Sequence, residues 1–495
     1  MGGKGVVSYT LASHLVLLMK TLLFLLLLQQ LAYAQAPAAC GCSQNFAEAR
    51  RLLETNYSGY RDKVTAATKP RLDSLTRVLQ LQADAAGSAS ACQQVLQQYL
   101  QFFRDGHVQL SSNSSTRLNN DSIRAYYANT ERLPWTRASF RKYLDDPSRP
   151  KKPLEGIWRD GDGGGYEIGI VSAGAAGYQG VVLKADSIFW VPGQVKFTFT
   201  DPEAGPAVAR YYMRNHNLES RPVRVVSDGE LLINGPWYRS YPRPVPMPPA
   251  PAPFSFRMLD DTTALYRIAS FNGYLRPKID SITKVNAANL AHTKLLIIDV
   301  RGNGGGSDGS YGSLIPYLYT NPVKEASAAI FSTPENNSTF SGPMLPGTSA
   351  SEKKYYAALK QRLDKHPGEL VSMAAHGKTY TIHQKRSHLH PEVTRVAVLQ
   401  NHFCASTTEQ FLLLARQSKK TTTFGENSAG VLDYSNVHSK SLPCYNLRLG
   451  WAISRSFRID RGEGIDNVGL TPTVRLDPTT SDMVEQVRAW YRQRK

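Results

Sequence analysis

Residues 295–306 read Leu-Leu-Ile-Ile-Asp-Val-Arg-Gly-Asn-Gly-Gly-Gly. An apolar run that leads into a glycine-rich turn marks a strand of a buried sheet. Working outward, Ala264–Ile268, Arg395–Leu399 and Thr422–Phe424 also read as strands, beside Lys294–Asp299, which contains the apolar run just quoted. Between them, Ile279–Leu290, Tyr311–Tyr319, Glu352–His366 and Thr407–Gln417 carry apolar residues at helical spacing. Strands alternating with helices predict an α/β domain over residues 254–475 around a buried sheet. An amphipathic helix, Ser481–Arg494, closes the chain.

Gly304, Gly306 and Gly309 satisfy a bare G-x-G-x-x-G. A dinucleotide fingerprint needs that turn directly at the strand end and an acid about 20 residues on, closing a second strand. Here Asp299-Val300-Arg301 intervenes and Glu325 sits in no convincing strand, so a nucleotide site is disfavoured. A glycine loop after a buried strand can instead bring a backbone N–H against a developing oxyanion.

Upstream the patterning changes twice. Residues 43–110 read as helices: Phe46, Leu52, Leu53 and Tyr57 recur at helical spacing, and a run from Cys92 ends at Arg104-Asp105-Gly106. Asn120 to Leu144 predicts a further helix or two around Pro134. From Leu154, short period-two runs with glycine turns (166–171, 180–183, Val195–Phe199, 223–226, 231–233) predict an antiparallel sheet or barrel. Tyr241–Pro253 is a proline-rich spacer. The domains expected are therefore 35–150 (helical), 151–240 (β-rich), 241–253 (linker), 254–475 (α/β core) and 476–495 (final helix).

The 495 residues are 41% apolar and 10% aromatic, too rich for a disordered chain. Net charge is +18, but Lys and Arg are dispersed in short runs such as Lys419-Lys420. That suits a solvated basic surface better than nucleic-acid binding. Met19-Lys20-Thr21, the apolar Leu22–Leu28 and Ala32-Tyr33-Ala34 have the layout of a secretory signal, with cleavage expected after Ala34. Lipoprotein processing at Cys40 is the rival. Export, to a periplasm or the medium, permits disulfides. Five cysteines leave at least one unpaired, and Cys42 or Cys40 is expected to bridge to Cys92.

Ser406 follows the strand Arg395–Leu399 and opens the helix Thr407–Gln417, with Glu409 three residues on. Taken alone, this is a helix capping box. A serine at a strand-to-helix turn is also where a nucleophile stands exposed, near helix N–H groups that favour negative charge. It is no G-x-S-x-G elbow, which disfavours an α/β-hydrolase.

LLIIDVRGNGGG (295–306), VAVLQNHFCASTTEQFLLLA (396–415) and TTTFGENSAG (421–430), in that order, resemble the core of tail-specific (C-terminal processing) serine peptidases. The resemblance spans roughly residues 254–475. It implies a crotonase-like/ClpP-like ββα core, Ser406 as nucleophile, and an oxyanion loop at Gly305 or Gly306 acting with the residue after Ser406. Classical members carry a dyad lysine about 25 residues after the serine, where this chain has Val431. The tricorn-like branch uses a histidine and a carboxylate instead. Arg104-Asp105-Gly106-His107 resembles its D-G-H segment and nominates His107. Asp466-Asn467-Val468-Gly469 resembles its E-N-x-G stretch and nominates Asp466, with Glu463 and Glu426 as alternates.

His383, His388 and His390 lie close in sequence, but no acid or cysteine is in register for zinc, so solvated loop histidines are expected. The expectation is thus an exported serine endopeptidase acting on protein or peptide substrates, needing no metal or organic cofactor. A non-catalytic binder of peptides or apolar ligands on the same core is the alternative. Hydrogen-bond reach between Ser406 and His107 would separate the two.

Overall fold

The computed structural model describes residues 40–494 apart from 113–126, 128–129, 162–164, 215, 217, 250–251, 343, 345–347, 375–378, 384–388 and 477–481. The signal-like segment, the first part of the helix expected at Asn120–Leu144, and His388 fall outside the described residues.

A six-stranded sheet runs in the order Phe254–Met258, Thr263–Ile268, Leu295–Asp299, Arg395–Gln400, Thr421–Gly425, Val474–Arg475. The first pair is antiparallel and every other pair parallel. Side-chain alternation gives each face its own core. Leu296, Ile298, Val396 and Val398 meet Phe411 and Leu412 of the helix Thr407–Ala415. Ile297, Ala397 and Leu399 meet Val484, Val487 and Tyr491 of the helix Met483–Arg492. The mixed α/β class read from the sequence is the one found.

A second, antiparallel sheet centres on Leu447–Ser456, flanked by Tyr434–Ser441, Gln109–Ser112 and Ala328–Phe331. The N-terminal helices Cys42–Asn56, Lys69–Ala85 and Ala89–Gln101 have no separate core. Phe46, Leu53, Leu96, Tyr99 and Phe103 share one cluster with Leu449, Trp451 and Ile453 of that sheet. Two disulfides, Cys42–Cys92 and Cys40–Cys444, reinforce this layer, and Cys404 is the free, buried cysteine.

Residues 156–241 form a closed eight-stranded antiparallel barrel, sealed where Gly156–Asp160 pairs with Pro236–Tyr241. Trp158, Phe197, Phe199 and Trp237 fill it, and the helix Arg137–Asp145 lays Phe140 and Leu144 on its outside. Glu325 does lie in a strand, Val323–Ala326, but that strand pairs antiparallel with Tyr380–His383. It lies off the parallel sheet and so cannot supply the acid of a dinucleotide site.

Candidate active site

In open parallel sheets, sites form at the carboxyl ends of the strands. There the loop after Leu295–Asp299 meets the turn after its neighbour Arg395–Gln400. The charged triplet that interrupts the glycine run is a clamp. Asp299 accepts from Arg301 Nε (2.8 Å), a second Arg301 nitrogen (2.8 Å) and Arg267 (2.8 Å). Burial works to raise this carboxyl, but the two guanidinium groups hold it below its usual range.

Asn303, fully buried, pins the loop further. Its Oδ1 accepts from Gly305 N–H (3.0 Å) and Phe271 N–H (3.2 Å), and its Nδ2 donates to the Ile268 carbonyl. The loop then touches the serine: a Cβ on Gly305 would lie 2.6 Å from the Ala405 carbonyl and 3.0 Å from Ser406 Cβ. Gly305 has φ +102°, so only glycine fits there without strain.

Ser406 sits at φ +56°, ψ −121°, outside the extended geometry of an ordinary N-cap. For a non-glycine residue this conformation costs of order 1–3 kcal/mol and is typical of functional positions. The Glu409 N–H is satisfied by the Ser406 carbonyl at 2.8 Å, so capping does not require the hydroxyl.

Glu409 does more than cap. Its fully buried carboxylate accepts from Ser406 N–H (3.2 Å), Ser428 Oγ (2.5 Å), Gly430 N–H (2.7 Å) and Val431 N–H (2.9 Å). Burial pushes its pKa up, and these four donors oppose the rise. The segment 428–431 is thereby fastened to the start of the serine's helix.

His107 arrives from the N-terminal layer and meets that same segment. A Cβ on Gly106 would lie 2.7 Å from Val431 Cγ1. The His107 Nδ1 lies 2.6 Å from the Tyr434 carbonyl oxygen, which can only accept, so Nδ1 carries the proton and Nε2 is left to act as a base. Asp105 braces the turn: its Oδ1 accepts the His107 backbone N–H at 2.8 Å and lies 4.0 Å from Nδ1, while Oδ2 accepts from Tyr57 at 2.7 Å. Burial raises the Asp105 carboxyl, and the Tyr57 bond opposes this. No hydrogen bond joins Ser406 to His107. They are linked through Glu409 and residues 428–434.

Asp466 makes no bond to the His107 ring. Its Oδ2 accepts from Lys63 Nζ at 2.8 Å, and burial raises its carboxyl to about 6. Its Oδ1 is buried without a partner. Neither alternate reaches His107: Glu426 lies 3.7 Å from His402 Nδ1, and Glu463 accepts from Arg461 at 3.0 Å. The carboxylate nearest His107 is therefore Asp105, inside the segment that nominated the histidine.

Two N–H groups border Ser406 uncommitted. Gly306 forms a parallel bridge with Phe271 whose bonds use the Gly305 carbonyl and the Ser307 N–H, so the Gly306 N–H is left over. Thr407, first residue of its helix, has no intrahelical acceptor for its N–H. The Gly305 N–H is already spent on Asn303. Of the two glycines expected as donors, Gly306 is the one with a donor to offer. Away from this centre, His390 lies in a loop and is partly exposed, with its ring stacked on Tyr317 at 3.9 Å and Glu392 2.8 Å from Nδ1. Among the described residues no cluster of three metal-ligating groups occurs.

A strained serine hydroxyl, a histidine presenting Nε2 and two leftover N–H groups make up the parts of acyl transfer to a hydroxyl. Residues 262–476 match the family model for peptidase family S41. Among solved structures the chain is similar to mature CPAF complexed with lactacystin (12% identity, 92% of this chain and 97% of that one, TM-score 0.48). It is also similar to a putative peptidase from Parabacteroides merdae ATCC 43184 (14%, 92% and 96%, 0.43) and to the tricorn protease (11%, 92% and 37%, 0.39). No curated protein matches the chain. The chain thus carries, over residues 262–476, a domain of peptidase family S41.

Proposed function

We propose that the protein is an exported serine endopeptidase working through Ser406 and His107. The observation that carries this reading is the conformation of Ser406, held at φ +56° against Gly305 at the carboxyl end of a central strand. In the reaction, the Ser406 hydroxyl attacks the scissile carbonyl carbon and passes its proton to His107 Nε2. The N–H groups of Gly306 and Thr407 hold the oxyanion as it forms. His107 then gives the proton to the leaving amine, and water hydrolyses the acyl-enzyme by the same exchange. The Tyr434 carbonyl fixes the imidazole tautomer. Asp105 steadies the imidazolium, and the Lys63–Asp466 pair stands outside that contact. Two disulfides suit an oxidising compartment, and among the described residues no helix is long and apolar enough to cross a membrane.

A fluorophosphonate probe should label the protein at Ser406, and Ser406→Ala should abolish both labelling and peptide cleavage. His107→Ala should cost several orders of magnitude in labelling rate, and Asp105→Asn should depress it more than Asp466→Asn. The missing Ser406–His107 hydrogen bond is what favours the non-catalytic alternative. A folded protein that neither takes the probe nor cleaves peptides would establish that alternative.

A further inference from the structure

A cavity of about 200 Å³ opens along the helix that Ser406 begins. Its walls are mainly apolar, with Tyr311, Ile315, Leu318 and Leu414, but it also takes in two carboxylates, Asp308 and Glu325. Pockets that enclose drug-sized ligands run to about 300–1,000 Å³, so this one suits a single side chain.

Its position is as informative as its size. Asp308 starts a 3₁₀ turn two residues after Gly306 and lies beside the Thr407 hydroxyl. Glu325 accepts from Gln410 Nε2 at 2.7 Å. Thr407, Gln410 and Leu414 follow one another along one helix face. The cavity is therefore tied to the serine's end of the helix through Asp308, which lines it and bonds the Thr407 hydroxyl, and it reaches Leu414 on the flank of the helix Thr407–Ala415.

Glu325 is close enough to oppose the ionisation of Asp308. Asp308 keeps part of its surface open to solvent, yet burial first, and Glu325 second, raise its carboxyl to about 6. Arg458 opposes this rise, but its guanidinium is paired with Asp433 at 3.2 Å. A site with apolar walls and paired acids complements an aliphatic stem that ends in a cation. In a chain of net charge +18 such a site stands against the overall field, so a preference for cations would be local to it.

We propose, building on the peptidase reading above, that this cavity receives a Lys or Arg side chain of the substrate next to the scissile bond. The apolar walls take the methylenes, and Asp308 and Glu325 take the charged head. The protein thereby selects basic residues at its cleavage site.

The test uses quenched-fluorescent peptides identical except for Lys, Leu or Glu on either side of one bond, with fluorophosphonate labelling run in parallel. The Lys peptides should be cleaved with kcat/KM at least ~10-fold above the Leu and Glu peptides. Glu325→Gln and Asp308→Asn should each lower Lys-peptide turnover roughly tenfold, while Leu-peptide turnover stays within about threefold and Ser406 labelling is unchanged. Glu325→Lys should move the preference toward the Glu peptide. Equal cleavage of all three peptides, cleavage of none by a labelled protein, or a uniform loss in the variants would overturn the assignment and leave the peptidase reading standing. Failure of the wild-type protein to take the probe would remove the peptidase reading itself, and this inference with it.

Discussion

Glu409 gathers four donors from two stretches of chain onto one buried carboxylate, which makes it the residue on which the site's geometry turns. Exchanging one carboxylate oxygen for an amide leaves at least one of those donors facing an NH₂ group, in a place that water does not reach. Hydrogen bonds to charged groups contribute about 1.5–3 kcal/mol each, and an orphaned buried donor costs about 1–3 kcal/mol. Glu409→Gln is therefore expected to lose roughly 3 kcal/mol of stability and to slow Ser406 labelling well beyond what the lost stability explains. Urea unfolding and labelling kinetics on the same preparation would check both, and an unchanged labelling rate would show that segment 428–431 holds its place without this carboxylate. Glu409 also shows what the sequence could and could not disclose of the site. Its capping contact is local, three residues from Ser406, and legible as a pattern. Its bonds to Ser428, Gly430 and Val431 join residues about twenty apart, two of them through backbone N–H groups that leave no mark in sequence. The same holds for the Tyr434 carbonyl behind His107. Asp466, by contrast, stood out by its motif, yet its side chain is bound to Lys63.

At the scale of elements, burial decides which strands could be read. Leu295–Asp299 and Arg395–Gln400 are covered on both faces by helices, so their apolar runs are continuous and the strands fall where expected. Tyr434–Ser441 is half polar, with Ser435, Asn436, His438 and Ser439 in sequence, and becomes a strand only by pairing with Leu447–Ser456. Strands of three or four residues, such as Ala328–Phe331 and Leu370–Ser372, are too short to show a period. Of the helix or two expected around Pro134, the described residues include Arg137–Asp145, starting at the Thr136 cap two residues after Pro134. Cysteine chemistry supplies what the short helices lack. Cys42–Cys92 closes a loop of 50 residues and ties the first helix of the N-terminal layer to the one that leads into His107. Removing it by paired Cys42→Ser and Cys92→Ser substitutions is expected to cost about 2–4 kcal/mol, because the unfolded chain regains the freedom the bond had removed. The urea midpoint should fall accordingly. A midpoint within error of wild type would show that helix packing alone fixes this layer.

For the whole molecule, the consequence of the shared core is that the serine and the histidine belong to different layers. Ser406 rides on the parallel sheet, whereas His107 rides on helices packed against the antiparallel one. The barrel adds a third body, touching the turn before Ser406 where Arg221 lies over Phe403 and Arg224 nears Glu426. The registration of histidine and serine therefore depends on how the layers meet, and they meet at Gly106 against Val431. Adding one methyl there tests that dependence. Gly106 does not have a left-handed φ, so alanine brings no backbone strain, only a Cβ 2.7 Å from Val431 Cγ1. Overpacking of this kind costs typically about 1–3 kcal/mol, which a protein of this size can absorb. Gly106→Ala is accordingly expected to stay folded, with its urea midpoint modestly lowered, but to label at Ser406 at least ~10-fold more slowly, because relieving the contact shifts Val431 or the His107 turn, and either changes how His107 sits against residues 428–434. Gly87→Ala is the control. A Cβ at that position has open space, so it should leave labelling unchanged and at most add about 1 kcal/mol of stability through the unfolded chain. Equal labelling of wild type, Gly106→Ala and Gly87→Ala would mean that the N-terminal layer does not govern the serine, and that the proton acceptor must be sought on the parallel-sheet side.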